Sequence, residues 1–335
     1  MTVYYRDPRV TLLIGDAADQ LGCLPAGSVD CVVTSPPYWG LRDYGVPGQH
    51  GTEPTPTDYV NHLRDVFDQA RRALADSGTA WLNLGNCYSG QHRDLRDRIG
   101  AAARTGQRPP ARGSGLPAKN LLGMPWRVAH ALQADGWIVR NAIVWHKPNA
   151  MPESVHDRLT VSYELVFFLV KTPRYYFDLD PIREPAATPP DRRTPTDRAG
   201  GVLGRKYVGP EMALPGGSRW NDMAQSQHSP RATPLRRRPR DVWTISTRPY
   251  PGAHNAPFPV DLPARCIAAG CPPNGLVVDP YSGAGTTGLA ALSLGRRYLG
   301  IDLNPAYHAL ARARLLDHVD SATPEPGARR SAPAA

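Results

Sequence analysis

Two short segments at opposite ends of the chain carry residues whose types and spacing could do chemistry. The first is Thr34-Ser35-Pro36-Pro37-Tyr38-Trp39 and the second is Asp279-Pro280-Tyr281-Ser282-Gly283-Ala284-Gly285-Thr286-Thr287. In the first, two prolines fix φ and remove two backbone donors, so the turn is stiff and its carbonyls point where the fold directs them. An exocyclic base amine needs acceptors for its N–H protons, and the Ser35 hydroxyl and Pro36 carbonyl are suitable. A planar base outside a helix needs a stacking face, which Tyr38 offers. Such an amine can attack an activated methyl group directly, with no covalent enzyme intermediate. The chain has no Pro-Cys nucleophile of the kind that cytosine-C5 chemistry uses.

The second segment is a glycine turn. Gly283 and Gly285 permit tight geometry and close ligand approach. Free N–H groups at a following helix start favour a carboxylate or phosphate. A carboxylate at Asp302, 23 residues beyond Asp279, suits hydrogen bonds to ribose hydroxyls. With Gly288 the spacing also matches a dinucleotide fingerprint, so a nicotinamide oxidoreductase is a competing reading. That reading leaves Ser35–Trp39 unexplained, and no Tyr/Lys or His/Asp pair stands out for hydride chemistry. A non-catalytic DNA-binding protein is a third reading, opposed by the intact tip.

Both segments follow runs that read as buried strands, Val29–Val33 and Leu276–Val278, and so lie where open α/β sheets place ligands. Further strands are expected at Val10–Ile14, Thr79–Leu84, Trp137–His146, Val161–Val170 and Tyr298–Ile301. Helical spacing predicts helices over Asp58–Ala75 with Thr57 as N-cap, Leu122–Ala134, Leu262–Ala269, Thr286–Leu294 and Pro305–His318. Alternating strands and helices of this kind build parallel sheets. Residues 89–119 read as a mobile basic loop, and 186–239, rich in Pro, Gly and Arg, as partly disordered.

These motifs resemble the site-specific DNA amino-methyltransferases that act on cytosine N4 or adenine N6, in the permuted order called the β class. The resemblance covers roughly residues 10–175 and 241–318. It also rests on Gly15-Asp16, Gly27-Ser28-Val29-Asp30, Trp145-His146-Lys147-Pro148-Asn149, Asp157-Arg158, Tyr163-Glu164 and His254-Asn255-Ala256-Pro257-Phe258-Pro259. The family often has Phe where this chain has Tyr281, and Ser where it has Ala284. The resemblance implies an α/β, Rossmann-like S-adenosylmethionine-dependent sheet in circularly permuted order, with an inserted target-recognition region. It implies that Ser35, Pro36, Pro37 and Tyr38 hold the target base. Asp279, Gly283 and Gly285, with Pro280, Tyr281, Ser282, Thr286 and Phe258 around them, would hold the methionine part of the cofactor. Asp302 would bind its ribose, and Asp16 would lie on its adenine side. The expected organisation is a catalytic half over 1–175, a basic recognition region over 176–245, a cofactor half over 246–320 and a disordered tail over 321–335. Serine at position 35, in place of aspartate or asparagine, leans towards cytosine N4, with adenine N6 as the alternative.

The chain has 335 residues and a formal net charge of +9. Such a balance favours a polyanion partner. Ile182–Pro249 holds 13 Lys or Arg against 6 Asp or Glu, a net +7 that is most of the excess. Arg236, Arg237, Arg238 and Arg240 are the candidate contacts to double-stranded DNA, and Arg93–Arg112 offers a second basic stretch. RNA is a less apt substrate than duplex DNA with a flipped base. A cognate restriction endonuclease is a possible partner. The five cysteines lack framework or zinc spacing, so reduced thiols and no metal are expected. No stretch approaches a membrane span and the N-terminus lacks an apolar signal core, so the expected location is cytoplasmic, at the nucleoid through DNA.

Overall fold

The protein is described by a computed structural model over residues 1–90, 113–185, 236–248 and 257–322. The two chemistry-bearing strands are neighbours. Strand β3 (Val29–Thr34) pairs in parallel with β10 (Leu276–Asp279), with Cys31 opposite Val277 and Val32 opposite Val278. Around them lie β1 (Val3–Arg6), β2 (Val10–Ile14), β4 (Leu74–Leu84), β5 (Ile138–His146), β6 (Tyr163–Val170), β9 (Val242–Thr244) and β11 (Arg297–Asp302). The sheet order is β1-β2-β11-β10-β3-β4-β6-β5-β9. Strands β2, β11, β10, β3 and β4 are mutually parallel. Strand β6 runs antiparallel between β4 and β5, and β9 is parallel to β5.

Among the described residues, six α-helices cover the faces: α1 (Ala17–Gly22), α2 (Pro56–Ala73), α3 (Met124–Ala134), α4 (Asp261–Gly270), α5 (Thr286–Ser293) and α6 (Pro305–Ala322). Strand residues alternate between two cores. Leu165, Phe167 and Leu169 pack with Leu63 and Phe67 of α2 and Val128 of α3. Val166, Phe168 and Val170 pack with Leu262 and Ile267 of α4, Ala290 of α5 and Leu315 of α6. An unbroken apolar run such as Leu165–Val170 is what a strand covered on both faces requires.

The chain leaves β10 through α5 for β11 on one side, and leaves β3 through α2 for β4 on the other. The two crossovers diverge. The crevice between the carboxyl ends of β10 and β3 is therefore the switch point of the sheet, where α/β folds bind ligands. This is a Rossmann-like arrangement in which strands from the first and second halves of the chain lie side by side.

Local details differ from the sequence expectations. Helix α2 starts earlier than expected because Thr55, not Thr57, is its N-cap. Thr55 Oγ1 accepts from the Asp58 N–H, the Asp58 carboxylate accepts from the Thr55 N–H, and Pro56 occupies the first turn. Strand β1 and helix α1 were not expected. Helix α1 has only six residues, too few for a period to show, and its N-cap is Asp16. Residues 91–112 of the predicted basic loop lie outside the described residues. The base of that loop is joined by hydrogen bonds from the Ser89 N–H to the Asn120 carbonyl (2.8 Å) and from the Lys119 N–H to the Ser89 carbonyl (2.8 Å).

The chain divides into a main unit, Met1–Ile182 with Arg240–Ala335, and a second unit, Arg183–Pro239. The main unit resumes before β9, whose Trp243 is buried in the second core beneath the Arg265 guanidinium. Within the second unit a two-stranded ribbon pairs β7 (Glu184–Pro185) with β8 (Arg236–Arg237). Residues 186–235 of this unit, Trp220 among them, lie outside those described.

Candidate active site at the switch point

A cavity of about 880 Å³ opens at the crevice and is lined by residues of both motifs, including Ser35–Tyr38 and Asp279–Ala284. Asp16, Phe258, Thr286 and Asp302 also line it. Gly285 lies directly beneath, where it caps α5 with φ +74°. The main-unit residues named from the sequence thus converge on one space.

Asp279 ties the two motifs together. Its carboxylate accepts from the Thr34 hydroxyl at 2.7 Å, the Thr287 hydroxyl at 2.6 Å and the Tyr281 N–H at 3.1 Å. It is 2% exposed. Burial pushes its pKa up to about 6, against the pull of those three donors. Its oxygens are therefore engaged within the protein, and Asp279 reaches the cavity mainly as a fixed charge.

The turn is tight for steric reasons. Gly283 has φ +48°, and a Cβ on Gly285 would sit 3.0 Å from the Ala311 Cβ. A Cβ on Gly288 would sit 2.6 Å from the Tyr298 ring, so this third glycine serves helix-to-strand packing. Asp302, at the end of β11, accepts from the Gly283 N–H and the Asn304 N–H, each at 2.8 Å. Each oxygen holds one donor, which leaves lone pairs for further hydroxyls. Burial raises this carboxyl as well. Asp16 caps α1 through Oδ1, from the Ala18 and Asp19 N–H groups. Its Oδ2 faces His50 Nε2 at 3.8 Å.

At the tip, the Ser35 hydroxyl lies 3.3 Å from Tyr38 Oη. Tyr38 donates to Glu164 at 2.6 Å, and Asn83 Oδ1 lies 3.1 Å away. Lys147 pairs with the other Glu164 oxygen and lies 4.4 Å over the Trp145 ring. Burial and the adjacent Glu164 carboxylate both push the Tyr38 phenol well above its ordinary value, so it stays protonated. The Pro37 carbonyl is taken by the Tyr59 hydroxyl at 2.9 Å. Pro36 is buried and lines the cavity beside Ser35. Trp39 is a core side chain whose indole donates to the Glu53 carbonyl. Gly85 makes room for Tyr38, because a Cβ there would lie 2.4 Å from its ring.

Sequence reasoning missed Glu164, Asn83, Lys147 and His50 as parts of this site. Tyr163-Glu164 and Trp145–Asn149 stood out only by family likeness, and no spacing rule connects them to the tip. Of the arginines, Arg237 is ion-paired with Glu184 at 3.1 Å. Arg238 and Arg240 are exposed, and the Arg240 carbonyl accepts from the Trp243 indole. The Arg236 side chain lies outside the description. Among the described residues there is no group of His, Cys, Asp or Glu arranged to hold a metal, and no helix is long and apolar enough to cross a membrane.

A model of the N6_N4_Mtase family, described as DNA methylase, matches residues 29–313. The chain is 41% identical over 307 residues to the Type II methyltransferase M.SmaI of Serratia marcescens, covering 91% of this chain and 90% of that protein. Its fold is similar to that of the PvuII DNA methyltransferase (cytosine-N4-specific), with a TM-score of 0.59, 18% identity and coverage of 95% and 94%. It is also similar to a Thermus thermophilus protein solved in complex with S-adenosyl-L-methionine, with a TM-score of 0.53, 23% identity and coverage of 93% and 96%. A strand-end tip and a glycine turn sharing one cavity, in a chain this close to a DNA-modifying relative, exclude the nicotinamide reading: the chain belongs to the N6_N4_Mtase family of DNA methylases, the S-adenosylmethionine-dependent enzymes that methylate amino groups of DNA bases.

Proposed function

We propose that this enzyme methylates the exocyclic N4 of a cytosine flipped out of double-stranded DNA at a specific sequence. The observation that carries the reading is the Asp279–Thr34 hydrogen bond, which fixes the cofactor turn and the base-binding tip on either side of one cavity. S-adenosylmethionine fits the turn: Gly283 and Gly285 hold it in a positive-φ conformation at the start of α5, and Asp302 keeps acceptor capacity for ribose hydroxyls. Gly283, Gly285, Thr286 and Phe258 would surround its methionine part, and Asp16 would lie near its adenine. Bound there, it supplies an electrophilic methyl group.

The rest follows from this chain's own side chains. The Pro36 carbonyl and the Ser35 oxygen accept the two amine hydrogens of the base. Both contacts turn the nitrogen lone pair away from the ring π system and make the amine nucleophilic. Glu164 holds the Tyr38 hydroxyl, so the ring presents a fixed face on which an extruded base stacks. Serine at position 35 is a neutral acceptor, and it supports cytosine N4 over adenine N6. A mass-resolved nucleoside digest of methylated DNA tests this: N4-methylcytosine is expected, and N6-methyladenine overturns the base assignment while leaving the family intact.

Relatives of this kind are named Type II methyltransferases, which supports pairing with a restriction endonuclease that reads the same target. The basic segment supplies DNA contacts in this reading. Arg238 and Arg240, exposed, are better placed for phosphates than Arg237, which Glu184 already engages. Replacing Arg236, Arg238 and Arg240 with Gln is expected to weaken DNA binding and to reduce the slope of log K against log [salt] by roughly 2–3. An unchanged slope in a filter-binding titration removes this segment from the interface.

A further inference from the structure

Residues 40–51 form a compact loop directly after the catalytic tip. Its neck is closed by the Gly40 N–H donating to the Gly51 carbonyl at 2.7 Å. Inside it, Gln49 Oε1 accepts from the Tyr44 N–H at 2.7 Å and its amide donates to the Arg42 carbonyl at 3.3 Å. Such closed loops are packed by their own side chains and often functional. Leu41, Arg42, Tyr44, Val46, Gln49 and His50 all line the cavity.

The loop is fastened to the opposite side of the switch point. His50 Nδ1 lies 2.6 Å from Tyr281 Oη, on the cofactor turn. Tyr44 meets the Tyr307 ring edge-on at 6.3 Å, at the start of α6. His50 Nε2 faces the Asp16 carboxylate at 3.8 Å, and a proton on that nitrogen, with Nδ1 accepting from the Tyr281 hydroxyl, suits both neighbours. The neck also abuts the tip: a Cβ on Gly51, whose φ is +86°, would lie 2.9 Å from the Tyr38 carbonyl. His50 therefore stands between the cofactor turn and the base-holding tyrosine.

We propose that His50 is a positioning residue: its bond to Tyr281 latches the 40–51 loop onto the glycine turn, so that the loop forms one wall of the S-adenosylmethionine compartment and links its occupancy to the position of the Tyr38 tip. The inference rests on the functional reading above. It gives the hydroxyl of Tyr281, where the family often has phenylalanine, a task that phenylalanine cannot perform.

The Tyr281 hydroxyl can donate to an unprotonated Nδ1 or accept from a protonated one, so the contact is available in either charge state of the imidazole. Burial pulls the His50 pKa below its ordinary value, and His62 acts in the same direction. Glu53, Asp16 and Asp65 oppose it.

The test is a double-mutant cycle read by calorimetric titration of S-adenosylmethionine into the full-length protein. His50→Ala and Tyr281→Phe are each expected to raise Kd about tenfold, the loss of one well-placed hydrogen bond. The double variant should be no weaker than either single one. His50→Asn, whose Oδ1 replaces Nδ1 as an acceptor that does not titrate, should bind as wild type does at neutral pH. Additive single effects, or unaltered affinity in both single variants, overturn the latch. Failure of the wild-type protein to bind S-adenosylmethionine at any pH overturns the functional reading, and the latch with it.

Discussion

Replacing Ser35 with alanine is expected to lower kcat by about 10²- to 10³-fold while leaving cofactor and DNA affinity within about threefold of wild type. The asymmetry follows from the site. Ser35 makes one protein contact, a 3.3 Å approach to Tyr38 Oη, and Tyr38 keeps its stronger bond to Glu164 when Ser35 is gone. The Tyr38 ring therefore stays in place. In the proposed mechanism, what is lost is one of two acceptors for the amine hydrogens, and the remaining Pro36 carbonyl cannot hold both. The effect belongs to the reacting nitrogen, so it enters kcat and not the binding terms. Because Ser35 is only partly buried and leaves no donor stranded, the melting temperature should shift little. Tyr38→Phe makes the useful contrast. It keeps the ring and breaks the Glu164 anchor, so it should cost about tenfold or less. Single-turnover methylation with saturating cofactor separates the two variants. A Ser35→Ala enzyme within about threefold of wild type in that assay removes serine from the chemistry.

How much of this was legible in the sequence depended on how locally each feature is encoded. Strands β2, β3, β10 and β11 were readable because their residues are buried on both faces and must be apolar. The tip and the turn were readable because prolines and glycines state backbone geometry directly. Helix α1 was not, since six residues carry no periodicity, and Asp16 was consequently read only as a ligand although its Oδ1 caps that helix. The start of α2 was misplaced because Thr55 and Thr57 are equally good caps by type, and only the Thr55–Asp58 reciprocity decides. Glu164 and His50 were beyond reach for a different reason. Glu164 acts on Tyr38 across 126 positions and His50 on Tyr281 across 231, and side chains that meet only through the sheet order leave no spacing in one sequence. The glycine turn showed the converse limit. Its Gly283-Gly285-Gly288 spacing was legible but ambiguous between two cofactors, because strand-turn-helix packing asks for the same glycines in both.

Replacing Asp279 with asparagine is expected to separate stability from function. The buried carboxyl titrates near 6 in the folded protein, about two units above its ordinary value near 3.8. A raised acid pKa means that the folded state binds the proton more tightly than the unfolded state. Between about pH 4 and pH 6 the folded form thus carries more protons, and its stability falls as pH rises; above that window the cost of burying the charge is fully present. Two units correspond to roughly 3 kcal/mol. The amide of the Asp279→Asn variant carries no charge to bury, so the stability difference between the variant and wild type should move in the variant's favour by about this amount from pH 4 to pH 7. Chemical denaturation at both pH values measures it. At the same time the variant is expected to bind S-adenosylmethionine at least about tenfold more weakly at pH 7. The carboxylate makes no open contact in the cavity, since Thr34, Thr287 and the Tyr281 N–H occupy it. What it offers a cationic ligand is a negative field from a fixed, poorly screened position, together with the alignment of tip and turn. Unchanged cofactor affinity in Asp279→Asn, with the expected rise in stability, assigns Asp279 to alignment alone. Stability with the same pH dependence as wild type shows that the 4-to-6 window belongs to another group, of which Asp302, also raised by burial, is the first to test.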